Sequence, residues 1–389
     1  MDFLYFCFDP LDDKPDEFKQ NIAGRAAGVR RLGYRSDYIY YNQNELVYVV
    51  KDETKHFSVP DPCYEVNDTI CSAVCGIIKE NSYDFLYLNG SMLNSKVIKI
   101  ARCAKEKKFS AKVVFEPEYF PINNFCGEFV KKSKGQRTFL GFNRAAVRYR
   151  KSIARMPQAV DTIAVMDVPC TEACSVPAIS AYAGIDVGAV NFSRAAEGTE
   201  APVSILGVVT DGGICGYERI FTGLKDSRRS AKHYNYSFDI AGKEEDTAEL
   251  KRMASDFLPY VNINFLGEKT CGEIAELCGT HSVAVSDLGC YKRDIVYSSP
   301  CIAKLYCAAG IPFIYAYEDI SLDRSVRFAL NVANNSSPVS ADVLQSFVLR
   351  CRLDSRLAQA ERRYAEDKYD WWVIMKHILG FTATGRREA

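Results

Sequence analysis

Apolar positions along this chain come in two forms, and the forms alternate. Short, nearly continuous apolar runs predict strands at residues 3–8, 37–41, 45–50, 85–88, 112–116, 162–166 and 178–181. Segments with apolar residues three and four apart predict helices at 17–32, 66–80 and 96–107, the first closing at Gly33. Alternating strands and helices predict a parallel sheet covered by helices. The rhythm restarts after Asp186. VSILGVV at 203–209 predicts a buried strand, followed by a glycine-rich turn and a helix over 216–225. Strands at 237–242, 263–267, 282–287 and 312–317 alternate with helices at 246–256 and 271–278. The pattern predicts two α/β halves that divide between 186 and 202, followed by a polar loop, a helix and a last amphipathic helix carrying Trp371 and Trp372.

Composition narrows the class. A chain of 389 residues exceeds one ordinary core, which agrees with two domains. Hydrophobic residues at 48% and charged residues at 25% are a globular balance. A formal net charge of +0 gives no global attraction to nucleic acid, so no nucleic-acid partner is expected. The 15 cysteines contain no CxxC pair. Cys71/Cys75 and Cys170/Cys174 are four apart, the spacing of one helix face rather than of a zinc knuckle. They read as reduced thiols of a cytoplasmic protein. The four histidines form no triad or metal spacing. The opening MDFLYFCFDP carries an acid at position 2 and no basic region, so no signal peptide is expected. No apolar run approaches the ~20 residues that span a bilayer.

VYSSPCIAKLYCAAGIPFIY at 296–315 carries the first candidate chemistry. Ser298, Ser299 and Pro300 predict a helix start, with a hydroxyl cap and proline at the first helical position. Gly310 predicts its stop, before the last strand of the second half. A helix that starts after a strand is a place where α/β proteins hold phosphate. The only charge this helix offers is Lys304. An NAD-binding Rossmann domain is excluded, because FCFDPLDDKPDEF after the first strand has no GxGxxG and is acidic.

Several phrases together resemble bacterial glycosyltransferase family 4, of the polysaccharide and capsule type. LGVVTDGGICGYERIFTGL, FDIAGKEEDTAELKRMA, VNINFLGEKTCGEIAELC, HSVAVSDLGCYKRDIVYSSPCIAKLYCAAGIPFIY and YDWWVIMKHIL follow that family's order. DFLYLNGS, VVFEPEYFP, VDTIAVMD and AGIDV are similar to its N-terminal half. The resemblance covers nearly the whole chain. It implies a GT-B architecture, two Rossmann-like domains facing across a cleft, with the C-terminal helix crossing back to the N-terminal domain. The domains are then 1–186 with 366–389 on the acceptor side, and 187–365 for the nucleotide-sugar. The implied reaction is transfer, of retaining type, from a nucleotide-sugar to a glycan or lipid-linked acceptor. The nucleotide-sugar enters as substrate, and neither metal nor resident cofactor is expected.

Residue by residue, this chain departs from the family at the donor site. Val208 and Cys215 stand where basic residues are usual, and Tyr297 and Leu305 stand at the two glutamates of E-x7-E. Ile302 stands where a lysine often follows the Ser-Pro. The donor-binding candidates that remain are Gly212, Gly213, Gly216, Arg219, Arg293, Ser298, Ser299 and Lys304, with Lys292 as a further cation. Backbone amides and displaced cations would replace the missing contacts. No catalytic residue is assigned.

Two more groups come from the first half. Glu116 and Glu118 lie at the C-terminal end of a predicted strand, where open parallel sheets keep ligands, and are the acceptor-side candidates. No acid occurs between Glu128 and Asp161, while Lys131, Lys132, Arg137, Arg144, Arg148, Arg150 and Lys151 crowd there among aromatic residues. That mixture suits an anionic membrane surface. The expected setting is cytoplasmic and peripheral to the inner face of the membrane. Two functions follow. One is an active glycosyltransferase. The other is a non-catalytic GT-B protein that binds glycan or stabilises a second glycosyltransferase subunit.

Overall fold

The structure is a computed structural model. It describes the chain except residues 12–15, 43, 52, 60–64, 92, 123–138, 193–200, 228–235, 258–261 and 386–389, and except the side chains of 16–20 and 139–145. The described residues form two compact units, Met1–Gly184 with Trp371–Ala389, and Ile185–Asp370.

Unit 1 is built on a nine-stranded sheet in the order β4-β3-β2-β1-β5-β6-β7-β9-β8. Its strands are β1 Asp2–Pro10, β2 Arg35–Asn42, β3 Glu45–Val50, β4 Glu53–Ser58, β5 Phe85–Gly90, β6 Lys112–Pro117, β7 Thr162–Met166, β8 Glu172–Ala173 and β9 Val176–Ala181. Strands β2, β1, β5, β6, β7 and β9 run parallel, with antiparallel pairs at the two edges. β1 is apolar from Phe3 to Phe8 because both its faces are covered. Leu4, Phe6 and Phe8 join the core under α2 (Asp68–Glu80) and α3 (Ser95–Lys107). Phe3, Tyr5 and Cys7 join the opposite core with α1 (Asp16–Arg31) and Trp371. Cys71 and Cys75 lie on the buried face of α2. β4 was not legible in the sequence, since all its residues are exposed. α4 (Phe139–Arg155) leads into β7.

Unit 2 has a six-stranded, wholly parallel sheet in the order β12-β11-β10-β13-β14-β15. The strands are β10 Val203–Val209, β11 Tyr236–Gly242, β12 Asn262–Gly267, β13 Val283–Val285, β14 Phe313–Tyr315 and β15 Ala329–Asn331. Its helices are α5 Glu218–Ser227, α6 Glu244–Ala254, α7 Cys271–Cys278, α8 Cys301–Ala309, α9 Ala341–Arg352 and α10 Leu357–Lys368. The single last helix of the sequence reading is two helices here. α10 ends at Lys368, and α11 (Trp371–Thr384) starts after Tyr369 and Asp370. The division between the units falls at this break.

Candidate functional site

In both units the chain leaves the central strand first to one side of the sheet and later to the other. In unit 2 this switch point lies between β10 and β13, in unit 1 between β1 and β5. Loops at the C-terminal ends of such strands diverge and leave a crevice for ligands.

The unit 2 crevice is walled by residues 210–217 after β10 and 286–293 after β13. The two backbones touch. Leu288 N–H donates to Cys215 O at 2.9 Å and Gly289 N–H to Ile214 O at 2.8 Å. Glycine makes this approach possible. Gly216 has φ +65°, and a Cβ there would lie 2.4 Å from Gly289 N. A Cβ on Gly212 would lie 2.2 Å from Asp246 O, and one on Gly213 2.1 Å from an Arg293 nitrogen. Tyr217 OH donates to Val208 O at 2.9 Å, and Val285 O lies 3.1 Å away. These contacts tie the ends of β10 and β13 together.

The candidate cations of this crevice are already engaged. Arg219, 3% exposed, donates to Leu288 O, Ser337 O and Ala333 O at 2.6, 2.8 and 2.8 Å. Arg293 grips Asp211 through two bonds of 2.6 and 3.0 Å, and Asp211 also accepts from Gly213 N–H at 2.8 Å. Lys292 pairs with Glu218 at 2.6 Å. Lys304, 1% exposed, folds back to donate to Ser299 O and lies 6.0 Å from the Tyr369 ring centroid. The hydroxyl cap expected at 298–300 does not form. Pro300 is itself the N-cap of α8, and Ser299 Oγ bonds Ser321 Oγ at 2.9 Å instead. Ser298 N–H donates to Glu318 O.

The residues at the family's charged positions divide by exposure. Val208, Cys215, Ile302 and Leu305 are core residues, while Tyr297 is 41% exposed. Burial pushes the Cys215 thiol up to about 11.

Asp287 was missed by the sequence reading. It is 3% exposed, and burial, helped by the charge of Asp211, pushes its carboxyl up to about 7. An aspartate at the end of a predicted buried strand of a parallel sheet was the available signal.

In unit 1, Glu116 and Glu118 have different surroundings. Glu116 is buried and accepts from Arg25 at 2.7 and 3.0 Å, Tyr87 OH at 2.5 Å and Asn89 Nδ2 at 3.1 Å. Burial opposes the charge of Arg25, but Glu116, Tyr5 and Tyr87 together raise the guanidinium pKa above its ordinary value. Arg25 also lies 4.7 Å from the Trp371 ring centroid. Glu116 thus anchors α1 and α11 to the sheet. Glu118 is half-buried at the crevice. Ser91 Oγ lies 2.5 Å from both Glu118 Oε2 and Asp9 Oδ2, and Ser91 N–H donates to Asp9 at 2.9 and 3.0 Å. Asp9, at the C-terminal end of β1, is linked to Glu118 through this serine.

Of the basic group, Arg148, Arg150 and Lys151 are exposed on α4. The side chain of Arg144 lies outside the described residues, as do Lys131, Lys132 and Arg137. Among the described residues no helix is long and apolar enough to cross a membrane.

No protein-family model matches this chain, and no curated protein does. Solved structures match along its whole length. A glycosyltransferase from Rickettsia africae aligns with a TM-score of 0.62 at 11% identity, over 98% of this chain and 97% of that one. The catalytic domain of starch synthase IV from Arabidopsis thaliana, bound to ADP and acarbose, gives 0.56 at 10%, over 99% of both. HepE from Anabaena, in complex with UDP-glucose, gives 0.52 at 10%, over 98% and 99%. The chain has the GT-B fold of these glycosyltransferases.

Proposed function

We propose that this chain transfers a sugar from a nucleotide-sugar donor, held by unit 2, to a glycan or lipid-linked acceptor at unit 1, in the manner of family 4 glycosyltransferases. The observation that carries the reading is coverage. The similar glycosyltransferases align over nearly all of both chains, so the likeness extends to both units. HepE is bound to UDP-glucose and the pneumococcal O-GlcNAc transferase GtfA to UDP and GlcNAc, which supports a nucleotide-sugar as the substrate class. The proposed setting is bacterial surface polysaccharide synthesis in the cytoplasm. The exposed cations of α4 would rest on the inner membrane face. No resident metal is invoked.

The proposed donor site is the crevice of 210–217 and 286–293. Amides of the glycine loop would approach the diphosphate, and Arg293, the most exposed cation there, would leave Asp211 to meet it. Glu118, Ser91 and Asp9 would face the acceptor hydroxyl.

A second reading has its own observation. Arg219, Arg293, Lys292 and Lys304 all have protein partners, and Asp287 adds an acid beside the loops. Such a unit suits a non-catalytic partner of an active glycosyltransferase. A melting-temperature panel with UDP-, GDP- and dTDP-sugars, paired with a donor-hydrolysis assay, separates the two. The first reading expects one donor to raise Tm and be consumed, with binding weakened by Arg293→Ala. No Tm shift and no consumption with any donor would leave the second.

A further inference from the structure

The outer surface of unit 1 carries a groove between α2 and α3, away from the strand ends, with a volume of about 460 Å³. Lys79 on α2, Lys99 and Arg102 on α3, and Arg155 at the end of α4 stand around it, against one acid, Glu106. Its apolar lining is Cys75, Ile98 and Cys103.

The ion pairing of α3 differs between the groove and its flanks. Two of the three α3 cations outside the groove have acidic partners, Lys96 with Asp68 and Lys105 with Asp161 at 3.0 Å. Lys108, just past the helix, pairs with Asp84 at 2.6 Å. The four cations at the groove have no salt bridge among the described residues. Arg102 donates only to the neutral amide of Gln158 at 3.0 Å. Four like charges around one hollow repel one another, and that cost is relieved by an anion.

Gly76 is the second observation. It sits inside α2 facing the groove, where glycine costs about 1 kcal/mol relative to alanine. Its φ is not positive, and a Cβ there would meet nothing within 4 Å. Neither backbone conformation nor protein packing requires glycine here. The hydrogen leaves open the space above the helix, between the cations.

We propose that this groove binds a phosphate-bearing ligand, its phosphate between Lys99, Arg102, Lys79 and Arg155 and its remainder over Gly76 and Ile98. Lysine and arginine together suit phosphate, arginine by paired donors and lysine by point charge. The phosphate can belong to a soluble metabolite or to a lipid headgroup. The inference does not depend on the reading of the unit 2 crevice.

The full chain is titrated with inorganic pyrophosphate by calorimetry, and separately spun with vesicles of phosphatidylglycerol and phosphatidylcholine against vesicles of phosphatidylcholine alone. Binding of pyrophosphate assigns the groove to a soluble phosphate, and binding of the anionic vesicles alone assigns it to a headgroup. In either arm the Lys99→Glu/Arg102→Glu variant is expected to lose about tenfold or more in affinity. Gly76→Leu, which fills the groove without changing charge and favours the helix, is expected to lose as much while melting no lower than the parent. Lys107→Glu, on the same helix outside the groove, is expected to bind as the parent does. Failure of both probes overturns the proposal. So do groove variants that bind unchanged, or a Lys107→Glu loss equal to theirs.

Discussion

Asp287 keeps its proton in the folded chain up to about pH 7, whereas an unfolded aspartate releases it near pH 4. Between those values the folded state binds the extra proton, so stability from this group is complete at low pH and falls as pH rises through about 7. Asp287→Asn removes that slope and is expected to stabilise the chain at pH 8 by a few kcal/mol, at ~1.4 kcal/mol per pKa unit. Urea unfolding of both proteins at pH 5 and pH 8 measures it, and an unchanged difference between the two pH values would refute the account. A different test applies to Ser91. Its hydroxyl lies against Asp9 and Glu118, so Ser91→Ala takes that partner from the buried Asp9 and is expected to cost about 1–3 kcal/mol. An unchanged urea midpoint would show the contact to be incidental. Glu116→Gln leaves Arg25 buried without its charge partner and is expected to cost about 3–5 kcal/mol.

At the scale of elements, the loops after β10 and β13 act as one piece because their backbones are bonded across two glycines. Gly216→Ala places a methyl 2.4 Å from Gly289 N on a positive-φ backbone, and is expected to destabilise unit 2 by about 2 kcal/mol or more. Hydrogen exchange reads the same change as lost protection at Leu288 and Gly289, and protection equal to the parent would show the loops to be independent. The sequence made the strands of these loops legible, since VSILGVV and the apolar run before Asp287 are buried on both faces. It also displayed the glycines. The sequence could not show which partners the cations had taken. Arg219 reads as a surface cation one turn into a helix, yet its three acceptors are main-chain carbonyls, two of them more than a hundred residues away. Serine and proline at 298–300 carried a local cap signal, and a tertiary bond from Ser299 to Ser321 overrode it. β4 was invisible for a simpler reason, having no buried side to leave a period in the sequence.

At the scale of the whole molecule, unit 1 is assembled from two distant segments. Trp371 packs against the glycines of α1 and against Gly184, where a Cβ at Gly24 or Gly184 would lie 2.2 or 2.7 Å from the indole. Ile374, Met375, Ile378, Leu379 and Phe381 join the same core as Phe3, Tyr5 and Val114. At about 1.5–3 kcal/mol for each large apolar side chain buried, this helix contributes on the order of 10 kcal/mol to unit 1. That is comparable with the whole stability of an ordinary domain, about 5–15 kcal/mol. Unit 2 keeps its own sheet and core within Ile185–Asp370. Removing 371–389 is therefore expected to unfold unit 1 and leave unit 2 folded. Exchange measured peptide by peptide is the check: peptides from 1–184 should lose protection, and those from 203–209 and 283–285 should keep it. Retained protection in β1 would mean that α11 covers the sheet without holding it together. Loss throughout the chain would mean that the two units unfold as one.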